Sequence, residues 1–115
     1  MTKLTWLKCT GGVWCALERL NLETVTERGV YVIWHGGGSP RVVYVGQGAV
    51  ANRLAEHRQN PEILAYRESG TLYVTWASAL PHQWDGIERY LSDKYSPLVG
   101  DAHPNAQPIV VNDPW

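Results

Sequence analysis

The stretch Gly29-Val30-Tyr31-Val32-Ile33-Trp34-His35, then Gly36-Gly37-Gly38-Ser39-Pro40, then Arg41-Val42-Val43-Tyr44-Val45-Gly46, decides the fold. Two runs rich in β-branched and aromatic residues flank a cluster of glycines, which is how a β-hairpin reads in sequence. Alternation puts Val30, Val32 and Trp34 on one side of the first strand and Tyr31 and Ile33 on the other. A four-residue turn over Gly36–Ser39 sets His35 against Pro40 and therefore Tyr31 directly opposite Tyr44. Their Cβ atoms would lie about 5 Å apart on one face of the sheet.

Outward from the hairpin the chain becomes helical. Gln47 and Gly48 loosen it, and a helix follows from about Val50 to Gln59, ended by Pro61. Arg53 and His57 are four apart and so stand one turn above the other on a single face. A shorter helical segment over 62–67 gives way at Ser69 and Gly70 to a third strand, Thr71 to Ala77. From Gln83 to Tyr95 an amphipathic helix is expected. At about 100° per residue, Trp84, Ile87, Leu91 and Tyr95 share one sector, and Glu88 projects into it, whereas Asp85, Arg89 and Asp93 face away. An ionised carboxylate on a core-facing stripe is costly unless it is paired or bound to a metal.

These elements predict an α/β domain: a small, mainly antiparallel sheet of three or more strands flanked by helices. At 115 residues the chain has room for one core. Residues 1–28 read as an extension of uncertain structure packed on the domain, with Val13 to Leu22 fitting helix or strand. Residues 29–105 form the module, and 106–115 a tail in which Ile109–Val111 would add an edge strand.

Composition narrows the function classes. Ten Lys and Arg against eleven Asp and Glu leave a net charge of −1 without a basic run, which argues against tight, sequence-independent nucleic-acid binding. Cys9 and Cys15 have neither zinc-knuckle nor redox-pair spacing and read as reduced thiols. No apolar run is long enough for a membrane span and no signal peptide opens the chain, so a soluble cytoplasmic protein is expected. Gly36–Gly38 lack the lysine and the strand–loop–helix setting of a phosphate loop. His35, His82 and His103 show no ligand spacing.

Gly29-Val30-Tyr31 followed by Tyr44-Val45-Gly46 resembles the paired signature of the GIY-YIG nuclease superfamily. Relatives follow it with an Arg on the next helix and often a His or Tyr one turn on, matched by Arg53 and His57. A Glu on a later helix is matched by Glu88, and an Asn after a Pro by Asn105, with Asn112 as a weaker substitute. The gap from Gly46 to Arg53 is shorter than in several relatives, and that from Glu88 to Asn105 longer.

The resemblance implies a divalent-metal-dependent endonuclease acting on DNA. Glu88 would hold Mg²⁺, with Mn²⁺ as a substitute, and Arg53 would contact phosphate oxygens. Tyr31 would be the general base, although a free phenol has a pKa near 10. Tyr44 would orient the water or Tyr31, and His57 would relay a proton or contact phosphate. Arg53, Arg58 and Asn105 would meet the nucleic acid. Because relatives borrow affinity from an attached domain, this chain would dimerise, use residues 1–28 for recognition, or work beside a partner protein.

Other readings of the same residues stay open. Tyr31 and Tyr44 suit a core aromatic pair, and Arg53 and His57 suit a solvated helix face. The scaffold also serves a non-catalytic nucleic-acid-binding module, or a protein-interaction domain displaying Trp6, Trp14, Trp34 and Trp115.

Overall fold

The computed structural model describes residues 1–100 and 104–115. Four strands form one antiparallel sheet: β1 (Cys15–Ala16), β2 (Arg28–His35), β3 (Arg41–Ala49) and β4 (Leu72–Ser78), in the order β1-β4-β2-β3. Helices α1 (Val50–His57), α2 (Pro61–Leu64) and α3 (Trp84–Tyr95) complete the domain. The general α/β class and the antiparallel sheet are as the sequence predicts.

β2 is the central strand, and apart from Arg28 all its residues are buried. Its alternation feeds two cores. Tyr31 and Ile33 pack with Val50 and Leu54 of α1 and Ile63 of α2. Val30, Val32 and Trp34 pack with Ile87 and Leu91 of α3, joined by Leu4 and Val111. Helices on both faces explain why β2 is apolar throughout rather than half polar.

The hairpin register corrects the expected one. The turn is longer, so His35 faces Arg41 and Trp34 faces Val42; after a bulge at Val43, Ile33 faces Tyr44 and Tyr31 faces Gly46. The extra residue lets Val43 and Tyr44 both turn toward the α1 side, the usual effect of a bulge. Tyr31 and Tyr44 are therefore diagonal rather than direct neighbours, still on one face. β3 also runs on through Gln47 and Gly48, expected as loop, because Arg28 and Gly29 pair with Ala49 and Gly48.

Residues 1–28 are woven into the domain rather than laid on it. β1 pairs with β4, Leu17 and Val25 enter the first core, and Leu4 enters the second. Arg58, expected at a nucleic-acid face, instead donates to the carbonyls of Leu17 and Leu20. The tail adds no edge strand: Val111 makes one parallel bridge, to Thr2. Asn112 is committed to structure, since its Oδ1 accepts from Leu4 N at 2.6 Å and its Nδ2 donates to Leu4 O at 3.0 Å. Cys9 and Cys15, expected as free thiols, form a disulfide. The turn Cys9-Thr10-Gly11-Gly12-Val13 folds back on itself, with Cys9 N donating to Val13 O, and so brings the two sulfurs together. No helix among the described residues is long and apolar enough to cross a membrane.

Candidate active site

The two signature glycines have a common physical reason, which is close approach. A Cβ on Gly46 would lie 2.2 Å from Tyr31 Oη, and one on Gly29 would lie 2.0 Å from the Ala77 carbonyl oxygen. Gly46 thus leaves the floor across which the Tyr31 ring lies. Tyr44, one diagonal step away on β3, stacks on that ring with centroids 6.2 Å apart.

α1 follows β3 directly and lays His57 over both phenols. Tyr31 Oη and His57 Nε2 are 2.6 Å apart, and the His57 and Tyr44 ring centroids are 4.4 Å apart. His57 is buried, at 5% exposure, so it is not part of a solvated helix face. Burial and the nearby Arg53 cation hold its pKa down to about 4. At neutral pH it is an uncharged imidazole whose Nε2 can accept the Tyr31 proton. Tyr31 itself is fully buried. Its phenol is less acidic than usual, mainly through burial, with the Arg53 guanidinium beside it pulling the other way.

Arg53 stands one turn before His57 and is half-exposed. Its Nη1 pairs with Glu56 at 3.0 Å, whereas its buried Nε has no hydrogen-bond partner among the described residues. A buried donor without a partner is rare enough to ask for a cause, and an anionic ligand supplies one. Exposed Glu56 is the only carboxylate paired with Arg53 among the described residues, and so shallow a pair is worth little. A phosphate would displace it at small cost.

α3 brings Glu88 in from the other side. Glu88 is half-buried, and its carboxyl is pushed up to about 7 by burial and by the neighbouring Asp85, against the pull of Arg53. Asp85 is exposed, as its place off the apolar sector predicts, yet it lies near enough to Glu88 to act on its charge. It accepts a 2.7 Å hydrogen bond from Gln47 Nε2 of β3, which ties the start of α3 to the strand carrying Tyr44 and Gly46. Asp85 and Gln47 were not singled out in the sequence. The signal for Asp85 was its place three before Glu88, one helical turn away.

Tyr31, Tyr44, Arg53, His57 and Glu88 thus come together from β2, β3, α1 and α3. Asn105 does not visibly join them. It is exposed, beside Pro104, whose carbonyl accepts from Arg89 of α3 at 3.4 Å. The other arginines are dispersed: Arg67 pairs with Glu18, and Arg41 donates to the Ser96 carbonyl. His103 lies outside the described residues.

No family model matches the chain, and neither a curated protein nor a solved structure matches it.

Proposed function

We propose that the chain is a GIY-YIG-like, divalent-metal-dependent endonuclease that hydrolyses DNA phosphodiester bonds. One observation carries the proposal. A buried Tyr31–His57 hydrogen bond, an arginine whose buried donor finds no partner among the described residues and a carboxyl with an upward-shifted pKa meet at one site.

The donors fit a hard cation. Glu88 and Asp85 put two carboxylates one helical turn apart, and their mutual repulsion contributes to the raised Glu88 pKa. Oxygen donors of this kind suit Mg²⁺ or Mn²⁺. Among the described residues no three His, Cys, Asp or Glu side chains cluster as a cage, but Mg²⁺ is commonly held by one or two carboxylates plus water and phosphate. Glu88 would hold the ion, with Asp85 within one turn. When bound, it would supply charge stabilisation at the phosphoryl and leaving oxygens.

The chain's own residues would do the rest. Arg53 would move from Glu56 and the phenol onto a non-bridging phosphate oxygen, stabilising the charge that builds there. Its departure would also uncover Tyr31, which is otherwise sealed from water. The attacking water would then give its proton to Tyr31 Oη as the phenolic proton passes to His57 Nε2. The water oxygen bonds to phosphorus, and the bond from phosphorus to the leaving sugar oxygen breaks with its electron pair on that oxygen. Tyr44 would orient the water against Tyr31.

Cytoplasmic location and reliance on a second copy or partner for affinity belong to this proposal. The Cys9–Cys15 disulfide counts against the cytoplasm, where such bonds are kept reduced. The test is nicking of supercoiled plasmid and cutting of branched DNA with Mg²⁺ or Mn²⁺. Cutting that stops with chelator and in Glu88→Ala is expected; cutting indifferent to both would overturn the proposal.

A further inference from the structure

On the face of β2 that carries Val30 and Val32, three tryptophans from distant parts of the chain meet. Trp14 stands edge-on to Trp34 with centroids 5.2 Å apart, Trp34 lies 4.9 Å from Trp115, and Tyr95 lies 5.7 Å from Trp115. With Arg41 and Lys94 these rings line a cleft of about 550 Å³, inside the range of ligand sites, about 300–1,000 Å³. Trp115 is left 55% exposed there. Trp14 is presented by the disulfide-closed turn Cys9–Cys15.

The charge around these rings is mainly positive. Lys8 sits 4.4 Å from the Trp14 ring centroid. Among the described residues, exposed Arg41 has a carbonyl, Ser96 O at 3.3 Å, as its partner rather than a carboxylate. Lys94 pairs with Asp113 at 2.7 Å. Among the described residues, three cations against one carboxylate, beside indoles that meet edge-on or tilted, match a ligand with a flat π face and an anionic group. Sequence-tolerant single-strand sites pair these same features.

Placement favours a strand over a free small molecule. Tyr95 is seven residues beyond Glu88 on α3, which returns it to nearly the same side of the helix, offset by about 20°. It lies about 10 Å further along the axis, a span of about three stacked nucleotides at 3.4 Å each. A strand crossing the site beside Glu88 could reach the cleft along one helix.

We propose that this cleft takes an unpaired nucleotide of a DNA strand, with the base on the tryptophans and the phosphate on Arg41. The choice of DNA rests on the nuclease proposal; the aromatic and cationic features do not. The cleft would make the substrate class a distorted, branched or frayed duplex rather than a fully paired one.

The test is fluorescence anisotropy of a labelled oligothymidylate with the whole chain, in chelator so that nothing is cut. Trp115→Ala, at an exposed position, should weaken binding roughly ten-fold. Arg41→Ala should lower the salt dependence by about one phosphate contact. Blunt duplex should bind less tightly than the single strand. Binding unaffected by both variants would overturn the proposal. So would equal affinity for thymidine monophosphate, tighter binding of the matching RNA, or a dimer that Trp115→Ala dissolves. Trp115-dependent binding without any cutting would sink the nuclease proposal while supporting the cleft. Glu88-dependent cutting with Trp115-independent binding would do the reverse.

Discussion

β2 builds two places of opposite character from neighbouring residues. Tyr31 points to the α1 side, into a pocket that is buried and polar: its phenol is hydrogen-bonded to an uncharged His57, and an arginine donor beside it lacks a partner among the described residues. Trp34, three residues on, points to the α3 side, into an open cleft of tryptophans rimmed by cations. The first place can move protons and charge; the second can hold a flat, anionic group. On the proposed function, chemistry would belong to the Tyr31 side, and affinity to the Trp34 side.

That division can be broken at several points. The largest effect expected is from Tyr31→Phe, which removes the hydroxyl but keeps the ring and should slow cutting at saturating DNA by about 10²–10⁴-fold. Tyr44→Phe should cost less, because Tyr44 only orients. A larger loss for Tyr44→Phe would move the base role to the more exposed phenol. Arg53→Ala should slow the same step by about 10²–10³-fold, whereas changes in the tryptophan cleft should show mainly as a raised KM. Single-turnover rates against DNA concentration separate the two.

Gly46→Ala tests the floor of the pocket. Its new methyl would meet Tyr31 Oη at 2.2 Å, so the phenol must shift. A loss of about 1–3 kcal/mol of stability is expected by urea unfolding, together with loss of cutting. The smallest effect concerns pH. Glu88 has a folded pKa of about 7 against a usual 4.5, so the folded state binds the extra proton and stability falls as pH rises between these values. His57, held at about 4, has the opposite sign: stability rises with pH between about 4 and 6.5. The two slopes oppose each other in the native chain. Glu88→Gln should therefore unmask a stability that climbs through pH 4 to 6.5 and stays level above it. With solvent screening of a half-buried group, the gain at pH 8 should be at most about 1 kcal/mol. Melting temperatures across pH would show it, and a falling limb that survives in Glu88→Gln would contradict the assignment.

The hairpin, the alternation of β2, both longer helices and the sector of Glu88 were legible because each depends on local periodicity. What escaped depended on contacts between distant segments. The bulge at Val43 follows from the need to turn Val43 and Tyr44 both toward α1, which no count along one strand reveals. The binding of residues 1–28 to β4 and to Arg58 is a tertiary matter, and so is the meeting of Cys9 with Cys15 across a turn. The reach of Asp85 to Glu88 escaped because the 100° rule sets it well outside the apolar sector, and its hydrogen bond to Gln47 of β3 is a tertiary contact. Asn112 was offered as a site residue, yet Leu4 of the amino-terminal segment claims its amide.

The most direct measurement is cutting of supercoiled plasmid by the parent and by Glu88→Ala, with and without Mg²⁺, on samples with matched circular dichroism. Metal-dependent nicking by the parent that disappears in Glu88→Ala is the expected result. A parent that never cuts, or a Glu88→Ala protein that cuts as well as the parent, would contradict it.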